Sequence, residues 1–376
     1  MKKIALLHPF SAQAIGLHEQ DLYFSHSKPH EQALRALQKQ GFAVSIDYFT
    51  GRLFTYTKNC LGIKKRFWSV TKPIFKKRHG WRKQYSLFHY LSTIICPADV
   101  TIINMSGHGS PYCFKLAQLL VKKQKPYIAL IGGMHVANSL KASYYYKNAH
   151  HVLVHTAVQK QQLAQQAIFK NLDIRVMPLG VDTTIFVPIE KTLETIELLY
   201  VGRISRLKQI ELCLKTLAYL IKQQQKPVHL KIIGPISDGC YYDELQVLAK
   251  DLNLEPHLTF EGTVKQTDLV PYYQKASLLL LPSAHESFGM VMVEAMACGT
   301  PIIAMAGAGG PDELVQNGVN GLLCSKSEFS VLTAALVKDE FAWRTLGKNA
   351  RQSVLNQWSL EVTCITMEES VNSALK

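Results

Sequence analysis

The 376-residue chain lacks the usual marks of several protein classes. Its eight cysteines are scattered, with no C-x-x-C and no short Cys/His cluster, which argues against zinc ribbons and thioredoxin-like redox motifs. They read as small buried hydrophobes in a reducing compartment. No apolar run approaches the roughly 20 residues of a membrane span. The start, MKKIALLHPF, resembles the beginning of a signal peptide, but His8 and Pro9 interrupt it, so a first β-strand explains it better. No G-x-x-x-x-G-K-[ST] occurs and no G-x-G-x-x-G follows a strand, which leaves out the P-loop and the dinucleotide fingerprint. A soluble, cytoplasmic protein is expected.

One absence is local. Between Asp47 and Asp99 there is no acidic residue, while eleven Lys and Arg occur there, so that without this stretch the net charge of +14 falls to +3. Phe67, Trp68, Phe75, Trp81, Tyr85 and Phe88 are interleaved with the cations. Such a segment, about 52–90, suits an anionic membrane interface. A solvated basic insertion is the plainer alternative. Nucleic acid would be drawn to the same charges, but no recognised nucleic-acid motif accompanies them, and none is expected as a partner.

What is present is ordinary globular composition, 47% apolar and 19% charged, at a length that suggests about two domains. Short apolar strands alternate with amphipathic helices, which implies parallel sheets. The first half offers strands at Ile4–Pro9, Phe42–Tyr48, Val100–Met105, Tyr127–Ile131, Val152–His155 and Ile174–Met177. The second repeats the scheme with IELLYVG, HLKIIG, LTFEG, SLLLLPS and TPIIAMAG. The join falls near PLGVDTTIFVPIEK, where Pro178, Gly180 and Pro188 break the pattern. The expected division is residues 1–182 with the basic insertion and residues 183–357, followed by a terminal stretch over 358–376. Ligands of such sheets gather beyond the carboxyl ends of the strands.

Two motifs sit there. In YVGRISRLK, Gly202 permits a tight turn, and Arg203 and Lys208 follow before the next helix, as a diphosphate site would need. Two solvated loop cations are the bland alternative. In HESFGMVMVEAMACG, Glu286 lies in a loop and Glu294 lies in the helix that begins near Gly289. They are up to about 12 Å apart along the axis, comparable to the span from a sugar to a ribose across two phosphates. Acceptor-only carboxylates suit sugar hydroxyls. A loop Glu and a helix-surface Glu remain the alternative.

MPLGVDTTIFVP, VGRISRLK, HESFGMVMVEAMACGTPIIA and GAGGPDELVQNGVNGLL, in this order and spacing, resemble the family 4 glycosyltransferases of the GT-B fold. The likeness is close through the C-terminal half and weaker before it. It implies an α/β chain of two Rossmann-like doubly wound parallel-sheet domains facing a central cleft, with the remaining stretch, 358–376, a helix returning to the first domain. It also implies a retaining transfer of sugar from a nucleotide-sugar, a UDP-sugar by commonest use. On matching positions, Glu294 would bind ribose hydroxyls and Glu286 the donor sugar. Arg203 and Lys208 would hold the diphosphate, and the backbone of Phe288, Gly289 and Met290 would approach the donor, with Gly307 to Gly310 in the same wall. The base would be sorted around Glu261 to Val264. No metal or other cofactor is expected, in keeping with the lack of a D-x-D. A histidine at the reacting centre would be His135 of LIGGMHVAN, with His108 of NMSGHGSP as competitor.

Two departures stand out. The loop after the first strand has only Gly16 where the family usually carries a glycine pair. The basic aromatic stretch lies in the domain that would recognise acceptors, suggesting a glycan or lipid-linked acceptor at the inner membrane face, in surface polysaccharide or glycolipid synthesis. A sugar-nucleotide epimerase on the same fold, or a non-catalytic sugar- or nucleotide-binding protein, are the competing readings.

Overall fold

Leucine-, isoleucine- and valine-rich runs buried on both faces are what a covered parallel sheet requires, and the chain builds two. A computed structural model describes residues 1–24, 28–71, 83–105, 109–133 and 136–376. The chain divides into one unit of Met1–Leu179 with Leu360–Lys376 and another of Gly180–Ser359.

The first unit contains β1 (Lys3–His8), β2 (Ala43–Thr50), β3 (Tyr56–Cys60), β4 (Ile63–Ser69), β5 (Val100–Asn104), β6 (Tyr127–Leu130), β7 (His151–Val154) and β8 (Ile174–Val176). Its helices are α1 (Glu19–Phe24), α2 (Lys28–Lys39), α3 (Leu87–Ile95), α4 (Pro111–Lys122), α5 (Leu140–Lys147) and α6 (Ala157–Ala164). The strand order is β3-β4-β2-β1-β5-β6-β7-β8, parallel throughout except for β3 against β4. The final helix of the chain, α14 (Leu360–Leu375), buries Met367, Val371 and Ala374 in the same core as Leu34 and Leu37 of α2.

The second unit contains β9 (Ile196–Val201), β10 (Val228–Ile233), β11 (Leu258–Gly262), β12 (Leu278–Leu281), β13 (Ile302–Met305) and β14 (Leu322–Cys324). Its helices are α7 (Glu211–Gln223), α8 (Gly239–Asp251), α9 (Val270–Lys275), α10 (Met290–Ala297), α11 (Gly310–Leu314), α12 (Phe329–Lys338) and α13 (Glu340–Gln357). The order β11-β10-β9-β12-β13-β14 reverses direction between β9 and β12, and that switch point is where a doubly wound sheet opens a crevice for ligands.

The first part of the basic stretch forms the hairpin β3–β4, in which β3 is the exposed edge strand and β4 takes the place of the third parallel strand beside β2. The alternation of β4 turns Ile63, Lys65, Phe67 and Ser69 inward. Lys65 is fully buried, and its ammonium donates to the Leu22 and Tyr23 carbonyls at 3.0 and 2.8 Å and to Glu31 at 2.5 Å. Arg66, paired in register with Asp47, grips that buried carboxylate through Nε and Nη2 at 2.5 and 2.6 Å. Trp68 donates its indole N–H to Asp47 at 3.0 Å, and Phe67 stacks between Tyr48 and Tyr56. Arg52 pairs with Glu19 at 2.6 Å. Three of the eleven cations thus meet carboxylates contributed from outside the acid-free stretch, and the two aromatics of β4 serve the fold. Lys72, Phe75, Lys76, Lys77, Arg78, Trp81 and Arg82 lie outside the described residues.

Candidate active site

The loops that leave the carboxyl edge of the second sheet are stitched to one another. Gly202 and Gly234, which end β9 and β10, touch through their backbones: a Cβ on Gly234 would lie 1.9 Å from the Gly202 oxygen. Only glycine fits that approach. Beyond Gly202, exposed Arg203 begins a loop that closes in a single 3-10 turn, Arg206–Lys208. The Ala284 N–H, from the loop after β12, donates to the Leu207 carbonyl of this turn at 3.2 Å. Lys208 and Glu286 therefore meet, with Nζ 2.5 Å from Oε2 and both side chains part-buried.

The segment from Glu286 to Met290 is held from its other side by the loop after β13. Glu286 N–H donates to Ala308 O at 2.8 Å, and Gly310 N–H to Glu286 O at 2.7 Å. A Cβ on Gly310 would strike the Phe288 carbonyl at 2.3 Å, so the two backbones lie in contact. The Gly307 and Gly309 amides donate to Asp312, each at 2.8 Å. Hence this glycine loop acts as a wall that holds Glu286 rather than as a source of free N–H groups. Gly289, at φ 90°, is the N-cap of α10 and supplies no side-chain cap; its carbonyl takes the Met292 N–H at 2.8 Å, and an outside acceptor would address the Met290 and Val291 amides at the start of that turn.

Glu294, on the second turn of α10, is buried. A carboxylate there needs donors, and it has them: Tyr273 of α9 donates its hydroxyl to Oε2 at 2.7 Å, and Gln266, just past Val264 in the loop after β11, donates to Oε1. Burial, followed by the charge of Glu294 and the hydrogen bond to it, pushes the Tyr273 hydroxyl far up, so it remains a donor. Sequence reasoning missed both partners. Gln266 follows the EGTV loop without any spacing signal, and Tyr273 reads only as the apolar face of a short helix.

In the first unit, Gly16 adopts φ 76° and closes the short 3-10 turn Ala12–Ile15, its N–H directed to the Ala12 and Gln13 carbonyls. Its amide is thus used inside the turn. His108 and His135 lie outside the described residues.

Residues 181–353 match the family model described as Glycosyl transferases group 1. The second unit is a group 1 glycosyltransferase domain. A D-inositol 3-phosphate glycosyltransferase of Kribbella flavida is 32% identical over 194 residues, 47% of this chain and 46% of that protein. The N-acetyl-alpha-D-glucosaminyl L-malate synthase of Bacillus anthracis is 30% identical over 167 residues, 44% and 42% of the two chains. The chain spans about half the length of the curated relatives it matches. Among solved structures, sucrose-phosphate synthase of Thermosynechococcus elongatus superposes with a TM-score of 0.72 at 20% identity, covering 99% of this chain and 98% of that one. Anabaena HepE in complex with UDP gives 0.75 at 18% identity, covering 99% and 100%. At such identities the likeness establishes the fold, which is GT-B. Within the glycosyltransferase domain the four residues singled out from sequence, Arg203, Lys208, Glu286 and Glu294, all lie at or just beyond the carboxyl edge, on the loops after β9 and β12 and on α10.

Proposed function

We propose that the protein is a retaining, metal-independent glycosyltransferase that moves a sugar from a nucleotide-diphosphate sugar, a UDP-sugar first, to a glycan or lipid-linked acceptor at the cytoplasmic membrane face. The observation that carries this reading is the Lys208–Glu286 clasp at the switch point of the second sheet, tied in place by the Ala284–Leu207 hydrogen bond. A cation suited to phosphate stands there against an acid suited to sugar hydroxyls. HepE has been solved with UDP and with UDP-glucose, which favours uridine for this chain.

In this scheme Glu294, fixed by Tyr273 and Gln266, accepts from the ribose hydroxyls. Arg203, Lys208 and the first-turn amides of α10 near Phe288, Gly289 and Met290 hold the diphosphate, and Val264 lines the base. The bond from the anomeric carbon to the diphosphate oxygen breaks through an oxocarbenium-like state. The acceptor hydroxyl attacks on the same face, and its proton passes to the departing diphosphate oxygen. The protein contributes charge and position rather than a nucleophile. Glu286, held by Lys208, orients the sugar, and His135, or His108, is the histidine that the family resemblance assigns to the reaction.

Screening nucleotide-sugars by thermal shift tests the donor, because a ligand of the native state raises its apparent stability. One UDP-sugar is expected to stand out, and its turnover is expected to require an acceptor and to persist in EDTA. Glu286→Ala should lower turnover more than nucleotide affinity; an unchanged rate would make Glu286 a surface acid. Consumption of donor without acceptor, by interconversion of the sugar, would favour the epimerase instead.

A further inference from the structure

Helix α3 is amphipathic in the wrong direction for a water-facing helix. Leu87, Phe88, Leu91, Ile94 and Ile95 have the spacing of one apolar face, and that face is outside, at 42, 54, 44, 38 and 84% exposure. Its inner side carries His89, buried, with Nδ1 2.5 Å from the Tyr112 hydroxyl and Nε2 3.8 Å from Asp47. The helix is anchored by its polar residue and offers its apolar ones. It is also well fixed: Ser86 accepts from the His89 N–H and donates to the Ser69 carbonyl at 2.7 Å, and the Leu87 N–H donates to the Thr71 hydroxyl at 3.0 Å. A contiguous exposed apolar face of this kind marks an interaction surface.

The charge of the adjoining sequence selects the partner. Six cations, Lys72, Lys76, Lys77, Arg78, Arg82 and Lys83, directly precede α3 in sequence, and no acid occurs before Asp99. On α4, Lys115 places its ammonium 5.2 Å from the Tyr90 ring at the flank of α3. A second copy of this chain carries the same excess of positive charge in this stretch, which disfavours it as the occupant. An anionic lipid surface neutralises them and takes the apolar side chains below its headgroups.

We infer that the exposed face of α3 is a membrane-docking surface for anionic phospholipid. The inference rests on the reading of a membrane-presented acceptor. It is tested without any substrate, so its failure leaves sugar transfer on a water-soluble acceptor intact. In flotation assays the full chain is expected to bind vesicles of phosphatidylcholine with phosphatidylglycerol, to bind phosphatidylcholine alone far less, and to release as salt rises. Phe88→Asp with Ile95→Asp should lower the vesicle partition coefficient by about tenfold or more at an unchanged melting temperature, and Ile95→Asp alone should lower it less. Absence of binding by the unaltered chain, or undiminished binding by the double variant, would overturn the assignment. So would a dimer in lipid-free solution that the double variant converts to monomer, since the face would then belong to a second copy.

Discussion

In the first unit Lys65 meets Glu31 at 2.5 Å, and in the second Lys208 meets Glu286 at the same 2.5 Å. Distance does not distinguish them, but surroundings do. Lys65 and Glu31 are 0 and 9% exposed, in the body of the fold, and two backbone carbonyls take further ammonium hydrogen bonds of the lysine. Lys208 and Glu286 are 15 and 18% exposed, beyond the strand ends, where the sheet turns from β9 to β12. The first pair is a closed account of charge that holds a hairpin to the sheet. The second has access to a ligand. Position relative to the strand ends therefore separates charges that build from charges that serve.

That contrast can be broken by substitution. Lys65→Ala takes a fully buried ammonium from the Leu22 and Tyr23 carbonyls and from Glu31, which keeps Arg35 at 2.6 Å, and should cost about 3 kcal/mol of stability, read from urea unfolding. Lys208→Ala should change stability by only about 1 kcal/mol or less while turnover drops about a hundredfold and nucleotide affinity falls with it. If Lys208→Ala unfolded the protein and left the turnover of the folded fraction intact, the two pairs would be alike and the distinction wrong.

A smaller effect sharpens the picture within the second unit. Tyr273→Phe removes one donor from buried Glu294 and should cost about 1–3 kcal/mol. Part of this should appear as weaker nucleotide binding by calorimetry; a loss confined to stability would assign Tyr273 to the core alone. The last effect is one of pH and concerns Asp47. Burial alone would raise its carboxyl, but Arg66 and His89 more than offset this and hold it well below the usual carboxylate range. A group lowered on folding contributes stability above its unfolded value near pH 4, and the contribution is lost as pH falls below that. Melting curves of Asp47→Asn taken at decreasing pH should flatten there, while the unaltered chain continues to lose stability.

The sheets were legible in the sequence because apolar runs of four to eight residues announce buried parallel strands. All six strands expected in the first half and all five in the second are present. The hairpin β3–β4 was not legible, since an inward position held by Lys65 breaks the apolar alternation, and only the fold brings Glu31 to it. β14, three residues long, carries too little pattern to read. Arg203, Lys208, Glu286 and Glu294 were legible as residue types placed after strands; the pairing of Lys208 with Glu286 was not, because it depends on how the loops after β9 and β12 meet. The partners of Glu294 were not, because Gln266 and Tyr273 are brought together only by the packing of a short turn and helix.

The contact between Gly202 and Gly234 carries a last consequence. Gly234, at φ 150°, has the Gly202 oxygen where its Cβ would be and the Arg203 nitrogen 3.4 Å from that point. Even a methyl group there would act as a wedge, spreading the ends of β9 and β10 and carrying the Arg203 backbone with them. Sensitivity to substitution in this protein should thus reach a position with no side chain, one that serves largely through the gap it leaves unfilled.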